Sequence, residues 1–277
     1  MTNSSEPLVT VLMSVYNGMP HLPTAIDSIL QQTLTNFKFI IVDDASTDGT
    51  AKVLRDFAQK DSRIEVVTNQ RNRGLGYNLA RGIAAATTPW VARMDADDVA
   101  VPQRLEWQLA YVKEQPEVDI LGGYALDMSD RGRILGQRKV PTNHQDICRL
   151  VWTNPFIHGT VMLRREAILR VGSYRQKLSK RQDYELWFRC VRSGLRFANL
   201  PQPLIYYRFS DNTFTRNNWR VALTHVRIGW RGCWQVKAAP FAYLAITKQL
   251  VVVLLPPPLR TLVYNWLKQF DPRAKVT

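Results

Sequence analysis

The chain has 277 residues, 45% of them hydrophobic and 22% charged, with 37 Lys/Arg against 23 Asp/Glu and a formal net charge of +14. These values exclude a wholly disordered chain, and the three cysteines, Cys148, Cys190 and Cys233, are too few and too scattered for a disulfide framework or a C-x-x-C metal site. Reduced thiols in a cytoplasmic protein are expected, and the polar stretch up to Glu6 lacks the apolar segment of a secretory signal.

In chain order, Val9–Val15 is a short apolar run, followed by Leu22, Ala25, Ile26, Ile29 and Leu30 at helical spacing. Phe37–Val42 is a second run, followed by Val53, Leu54, Phe57 and Ala58. Ile64–Thr68 is a third, followed by a helix pattern over Leu75–Ala86, and Trp90–Met94 is a fourth. Strands buried on both faces read as continuous apolar runs. Their alternation with helices predicts an α/β fold, a mostly parallel sheet with helices on both faces. Right-handed crossovers then put every strand's C-terminal end at one edge, where ligands bind in such sheets.

After Asp98 the pattern is less regular. Pro102 can open a helix whose apolar stripe is Leu105, Leu109 and Val112. Val118–Gly122 reads as a strand, and Asp130-Arg131-Gly132 as a turn between two short strand-like runs. Asn143–Val151 and Arg165–Val171 read as short helices, Gln182–Ser193 as a longer one closed by Gly194, and Leu204–Phe209 as a strand. No linker stands out before residue 210, so residues 1–210 are expected to form one domain and 211–277 an appended helical tail.

The charge excess is concentrated in that tail. Residues 201–277 carry 11 Lys/Arg and only Asp211 and Asp271. Such an excess suits nucleic acid, an anionic membrane surface or an acidic substrate. The tail also holds Trp219, Trp230, Trp234 and Trp266 and an apolar run, Ala238–Leu255. Basic residues mixed with Trp and Leu match a membrane interface better than a phosphate groove. The expectation is therefore a peripheral protein on the cytoplasmic face of a membrane, held through 238–277, with no nucleic-acid partner. A full span needs about 20 apolar residues, and here Lys248 interrupts the run and Pro256-Pro257-Pro258 ends it. Leu259, Leu262, Val263, Trp266 and Phe270 continue at helical spacing as an amphipathic stretch. Its apolar stripe either lies in the headgroup plane or packs back on the domain.

Asp43 and Asp44 follow directly on one apolar run, and Asp95, Asp97 and Asp98 on another. If both runs are parallel strands, five carboxylates gather at one rim and need compensation. A divalent cation, Mg²⁺ or Mn²⁺, suits hard oxygen ligands, and Mg²⁺ sites commonly combine one or two carboxylates with substrate phosphates. Two local readings compete: Asp97-Asp98 as a helix cap, and Ser46, Thr47 and Asp48 as N-cap residues of the helix after them.

The set Val11-Leu12-Met13-Ser14-Val15-Tyr16-Asn17, Val42-Asp43-Asp44-Ala45-Ser46-Thr47-Asp48-Gly49, Asn72-Arg73-Gly74 and Arg93-Met94-Asp95-Ala96-Asp97-Asp98, continued by His158-Gly159-Thr160 and Gln182-Asp183-Tyr184-Glu185-Leu186-Trp187, resembles glycosyltransferase family 2 over roughly residues 8–210. The resemblance implies a GT-A fold and an inverting transfer of a sugar from a nucleotide donor, usually UDP-linked, to an acceptor hydroxyl on a glycan or lipid-linked molecule. It implies that Ser14, Tyr16, Asn17 and Asp43 contact the nucleotide and that Asp44 hydrogen-bonds the base. It further implies that Asp95 faces ribose or metal, Asp97 ligates the metal, Asp183 is the general base, and His158, Gly159 and Thr160 lie near donor sugar and acceptor.

Asn78 falls outside the family's usual asparagine position and is left out of the site. The Arg-x-x-Arg-Trp motif of processive synthases has no clear copy, which favours addition of a single sugar. Arg73 and Arg93 are expected in surface ion pairs, with neutralisation of phosphate or acids the alternative. Trp187 is expected in the core, and Tyr16 either packs or stacks on a base. One rival is a nucleotidyltransferase on a similar sheet, although Tyr16-Asn17-Gly18-Met19-Pro20 lacks the basic, Gly-rich phosphate loop it would need. The other, a non-enzymatic membrane- or nucleic-acid-binding protein, gives no reason for acids at two strand ends.

Overall fold

Strands β1 (Val9–Val15), β2 (Lys38–Asp43), β3 (Ile64–Thr68) and β4 (Trp90–Asp95) alternate with helices α1 (Leu22–Leu30), α2 (Thr50–Lys60) and α3 (Leu75–Ala85). The computed structural model describes residues 6–178, 180–209 and 219–255, with 259 and 263 besides. β1 is buried almost throughout, β2 after Lys38 and β4 up to Met94. Their pairing is parallel, with β1 between β2 and β4 and β3 beyond β2. α1 has a proline in its first turn and buries Leu22, Ala25, Ile26 and Ile29, the spacing that turns one helix face to a sheet.

The second half comprises β5 (Val99–Ala100), α4 (Arg104–Glu114), β6 (Ile120–Met128), β7 (Ile134–Arg138), α5 (His144–Arg149), β8 (Met162–Arg164), α6 (Arg165–Arg170), α7 (Gln182–Arg192), β9 (Phe197–Arg208), α8 (Trp219–Gln235) and α9 (Pro240–Leu254). One sheet results, ordered β3-β2-β1-β4-β8-β6-β9-β5, with β7 paired to β6. β8 is antiparallel to both β4 and β6, and β6 is parallel to β9. β3, β2, β1, β4, β6 and β9 therefore all point the same way, and their C-terminal ends share one rim.

Several elements differ from the sequence reading. β9 starts at Phe197, well before Leu204, because Pro201 and Pro203 mask it. The β6–β9 register shifts around Tyr124, which lets the strand carry prolines that cannot donate to the ladder. The strand expected to end at Gly122 runs on to Met128 and joins β7 through a turn in which Gly132 has φ +80°. α4 starts at Arg104 with Gln103 at its cap, so Asp97 and Asp98 do not cap it.

The core has two halves, one on each sheet face. Val11 and Met13 of β1 face one and Leu12 the other, as a period of two requires. Cys233 of α8 and Ala242 and Ile246 of α9 belong to the same half as Trp187 and Phe188 of α7. α8 lies hard against α7: a Cβ on Gly229 would stand 2.7 Å from the Tyr184 hydroxyl, and one on Gly232 2.3 Å from the Phe188 ring. His225 stacks on Tyr184 at 4.5 Å between ring centroids. Among the described residues no helix is long and apolar enough to cross a membrane. The prolines at 256–258 and most of the stretch expected to be amphipathic lie outside the described residues.

Candidate active site

The sheet register brings the two acidic motifs together. Asp43 pairs across from Val15, and Asp95 across from Ser14. Neighbouring strands are about 4.8 Å apart, so the tips of β2 and β4 stand roughly 10 Å apart on either side of β1.

On the β2 side, Asp43 and Asp44 are both buried. Asp43 accepts the Ser46 amide at 3.1 Å. Asp44 is more heavily committed. One of its oxygens accepts Asn69 Nδ2 at 2.7 Å and the Arg73 amide at 2.8 Å, and the other accepts the Gly74 amide at 2.8 Å. Its carboxylate therefore braces the loop that enters α3, where Gly74 has φ +83°. Asn69 Nδ2 also reaches Asn78 Oδ1 at 2.7 Å, and Asn78 Nδ2 donates to Ser14 Oγ at 3.0 Å. Asn78, left out of the site on sequence grounds, is the buried link between Ser14 and the Asp44 loop.

Asn17 adopts φ +51° and clamps two loops together: its amide donates to Ser46 Oγ at 2.9 Å and its side-chain oxygen accepts the Thr47 amide at 2.8 Å. Tyr16 beside it is exposed, open to a ligand rather than packed in the core.

On the β4 side, Arg93 is buried and grips both oxygens of Asp95 in a fork. It is not in a surface ion pair; it neutralises an acid, the other alternative. The pattern was available, because alternate strand residues share a face. Burial works against the Arg93 charge, and Asp95 together with Tyr174 and Asp98 outweighs it and raises the guanidinium pKa. The Arg73 guanidinium stacks on Tyr77, 4.4 Å from the ring centroid. Beneath the rim a second buried guanidinium, Arg104, donates to the Arg93 carbonyl at 2.6 Å; burial and Arg93 push its pKa down to about 9.

Asp98 is buried. One oxygen accepts the Arg208 amide at 2.8 Å, and the other meets no hydrogen-bond partner among the described residues. Burial, with Asp95 and Asp97 close by, raises its carboxyl well above the usual range. Asp97 is solvent-exposed at the rim. Partial desolvation and Asp95 raise it too. Arg208, at the end of β9, also donates to the Asp97 carbonyl at 2.8 Å and so ties the acidic turn to the far side of the sheet.

Gly159 closes over these acids: a Cβ there would stand 3.1 Å from Asp98 Oδ2 and 3.4 Å from Asp95 Oδ2. Thr160 is fully buried; its hydroxyl accepts the Gly123 amide at 3.1 Å and donates to the Ile157 carbonyl at 2.8 Å, a brace within the fold. His158 Nε2 lies 2.8 Å from the Tyr174 hydroxyl. Burial and Arg93 push the His158 pKa down to about 4, so the ring is neutral at physiological pH.

Asp183 sits in the first turn of α7 and accepts Asn154 Nδ2 at 2.8 Å. Burial works to raise its pKa, and His158, the Asn154 amide, the Tyr184 N–H and Arg181 together outweigh it; the carboxyl is held below its ordinary value. His158 feels the charges of both Asp183 and Asp95, so the acid of α7 and one acid of β4 both lie near this buried ring. Asn154, itself at φ +60°, carries no local signal of this role.

A divalent ion fits this rim in a specific way. Asp97 is its available carboxylate, since Asp95 is held by Arg93, and the unpartnered Asp98 oxygen lies one residue on. Among the described residues no group of three His, Cys, Asp or Glu side chains closes on an ion. Substrate phosphates would have to complete the shell, the usual arrangement for Mg²⁺.

A family model described as "Glycosyl transferase family 2" matches residues 10–172. EpsE of Bacillus subtilis (strain 168) is 31% identical over 256 residues, 91% of each chain. The amylovoran biosynthesis glycosyltransferase AmsE of Erwinia amylovora is 31% identical over 225 residues, 80% of this chain and 84% of AmsE. Among solved structures, S. aureus TarS 1–349 in complex with UDP-GlcNAc superposes with a TM-score of 0.67 at 18% identity, over 89% of this chain and 71% of that one. The mannosyltransferase PcManGT from Pyrobaculum calidifontis, in complex with GDP-Man and Mn²⁺, gives 0.64 at 18% identity over 96% and 81%. The fold is that of the GT-A enzymes, and the chain belongs to glycosyltransferase family 2.

Proposed function

We propose that this glycosyltransferase moves a sugar from a UDP-linked donor to a hydroxyl of a glycan or lipid-linked acceptor, by a single displacement with inversion. The observation that carries the reading is Asp183: an ionised carboxylate oriented by Asn154, near the buried histidine that also feels Asp95 of β4. As the acceptor oxygen bonds to the anomeric carbon, its proton passes to Asp183, the bond to the diphosphate breaks, and the nucleoside diphosphate leaves with the electron pair. Asn154 aims the carboxylate.

The leaving diphosphate gathers negative charge. A bound Mg²⁺ or Mn²⁺, with Asp97 as its protein ligand, supplies charge stabilisation there. The nucleotide lies across the tips of β2 and β1, against Ser14, Tyr16 and Asn17. Asp44, oriented by its three donors, is the acid offered to the base, with Asp43 beside it. Asp95, gripped by Arg93, faces the ribose. The nucleotide sugars bound by TarS and PcManGT support a nucleotide-linked donor, and the amylovoran role in AmsE's name supports polysaccharide biosynthesis. The tail would hold the enzyme at a membrane, where lipid-linked acceptors reside.

The test is Asp183→Asn with UDP-sugars and an acceptor panel. UDP binding, read by calorimetry, is expected unchanged, while acceptor-dependent UDP release falls by about 10²–10⁴-fold. Near-normal release would remove Asp183 as the base.

A further inference from the structure

The buried side of α8 is Ala222, His225, Gly229, Gly232 and Cys233. Its other side is unusual. At 100° per residue, Trp219, Leu223, Trp230 and Trp234 fall within about 60° of one another, and Arg220, Arg227 and Arg231 line one flank of that stripe. Trp219 is 53% exposed, Trp230 48% and Trp234 77%. Water-facing indoles in a row are not what a soluble surface needs, and a large exposed apolar patch marks an interaction site. The stripe is also held in place. Trp230 Nε1 donates to Thr247 Oγ1 of α9 at 3.1 Å, its ring meets Tyr243 edge-on at 5.7 Å, and Arg220 lies over the Trp219 ring at 5.4 Å.

We propose that this face of α8 is a membrane-contact surface: the indoles and Leu223 enter the headgroup boundary of an anionic bilayer, and Arg220, Arg227 and Arg231 meet its lipid phosphates. The charge selects this occupant. Residues 219–255 contain five Lys/Arg and no Asp or Glu, so two copies of the face would repel, whereas anionic phospholipid complements it. Trp at the interface with Arg at its edge is the composition of an interfacial helix.

The position fits the chemistry. Tyr184 meets His225 and Gly229, and Phe188 meets Gly232, so α8 runs alongside α7 in the same direction. The Trp219 end of the stripe and the Asp183 end of α7 therefore lie at the same end of the helix pair, and seating α8 on a bilayer brings the base toward acceptors carried by lipid. The inference rests on the reading of the tail as membrane-facing and moves the main contact from 238–277 to α8.

The test uses the full chain and flotation with vesicles of phosphatidylcholine alone or mixed with phosphatidylglycerol. Wild type is expected to float with the mixed vesicles only, to be released by salt, and to show blue-shifted Trp emission when bound. Each basic residue near an anionic surface contributes about 1 kcal/mol, roughly five-fold in binding. Arg220→Glu/Arg227→Glu/Arg231→Glu should therefore weaken binding by at least about 100-fold. Trp219→Ser/Trp234→Ser should weaken it by roughly ten-fold or more and reduce the emission shift to what Trp230 alone gives. Circular dichroism and donor hydrolysis without vesicles should match wild type in both. Wild-type binding by both variants would overturn the α8 assignment while leaving the tail's membrane role intact. No binding of wild type to mixed vesicles would overturn both, and an acidic partner protein would then be the occupant. Neither result bears on Asp183, whose role is read from transfer.

Discussion

Gly232→Ala separates two opposing effects whose balance depends on how the tail sits. In an exposed helix interior, Ala replaces Gly with a gain of roughly 0.5–1 kcal/mol. Here the new methyl would stand 2.3, 2.4 and 2.6 Å from three ring carbons of Phe188. Phe188 is itself buried and packed edge-on against Tyr184 at 5.0 Å, so its ring has little room to give. Overpacking of this kind costs about 1–3 kcal/mol, and contacts this short belong at or beyond the upper end. The net expectation is destabilisation by about 2 kcal/mol, a fall in melting temperature of roughly 4–8 °C. Urea unfolding should show a lower midpoint at unchanged slope. Phe188→Ala opens the space, so in that background Gly232→Ala should be neutral or stabilising. A midpoint equal to or above wild type in the single variant would mean that α8 does not press on α7, and the placement of its tryptophan stripe beside the active site would fall with it.

Asp97→Ala is expected to bind UDP equally with and without Mn²⁺, at the metal-free affinity of wild type; calorimetry checks this, and a retained Mn²⁺ effect would move the metal to another acid. The pH profile of transfer should be flat from neutrality down to about pH 5, since Asp183 ionises below the ordinary 3.8 and His158 titrates at about 4. A limb near 6.5 would contradict it. His225 makes a separate stability prediction. It is buried, its Nδ1 meets no partner among the described residues, and burial with Arg181 pushes its pKa down to about 3. The unfolded ring titrates near 6.5, so the neutral ring's contribution is complete above that pH and is lost as pH falls toward the folded value. At pH 5 the loss is about 2 kcal/mol. Urea unfolding at pH 7 and pH 5 should show a smaller difference for His225→Phe, and an unchanged difference would refute it.

The chain's own pattern determined the sheet and much of the rim. Buried parallel strands must be apolar along their length, so Val9–Val15, Phe37–Val42 and Trp90–Met94 are visible as runs, and acids just after such runs have nowhere to lie but the C-terminal edge. Asp183 was singled out by the family resemblance alone, because the first turn of an amphipathic helix favours an acid through its dipole whatever its role. Tertiary structure decided which acids are free. Asp44 is oriented by amides 29 and 30 positions away, Asp95 is gripped by Arg93, and Asn78 and Asn154 act through partners 64 and 29 positions distant. Local periodicity cannot encode such pairs, because they exist only once loops turning at Gly74 and Asn154 have closed. The face that α8 shows to solvent was likewise undecided until Gly229 and Gly232 let the helix settle on Tyr184 and Phe188, since a stripe of tryptophans reads the same whether it points into a core or out of one.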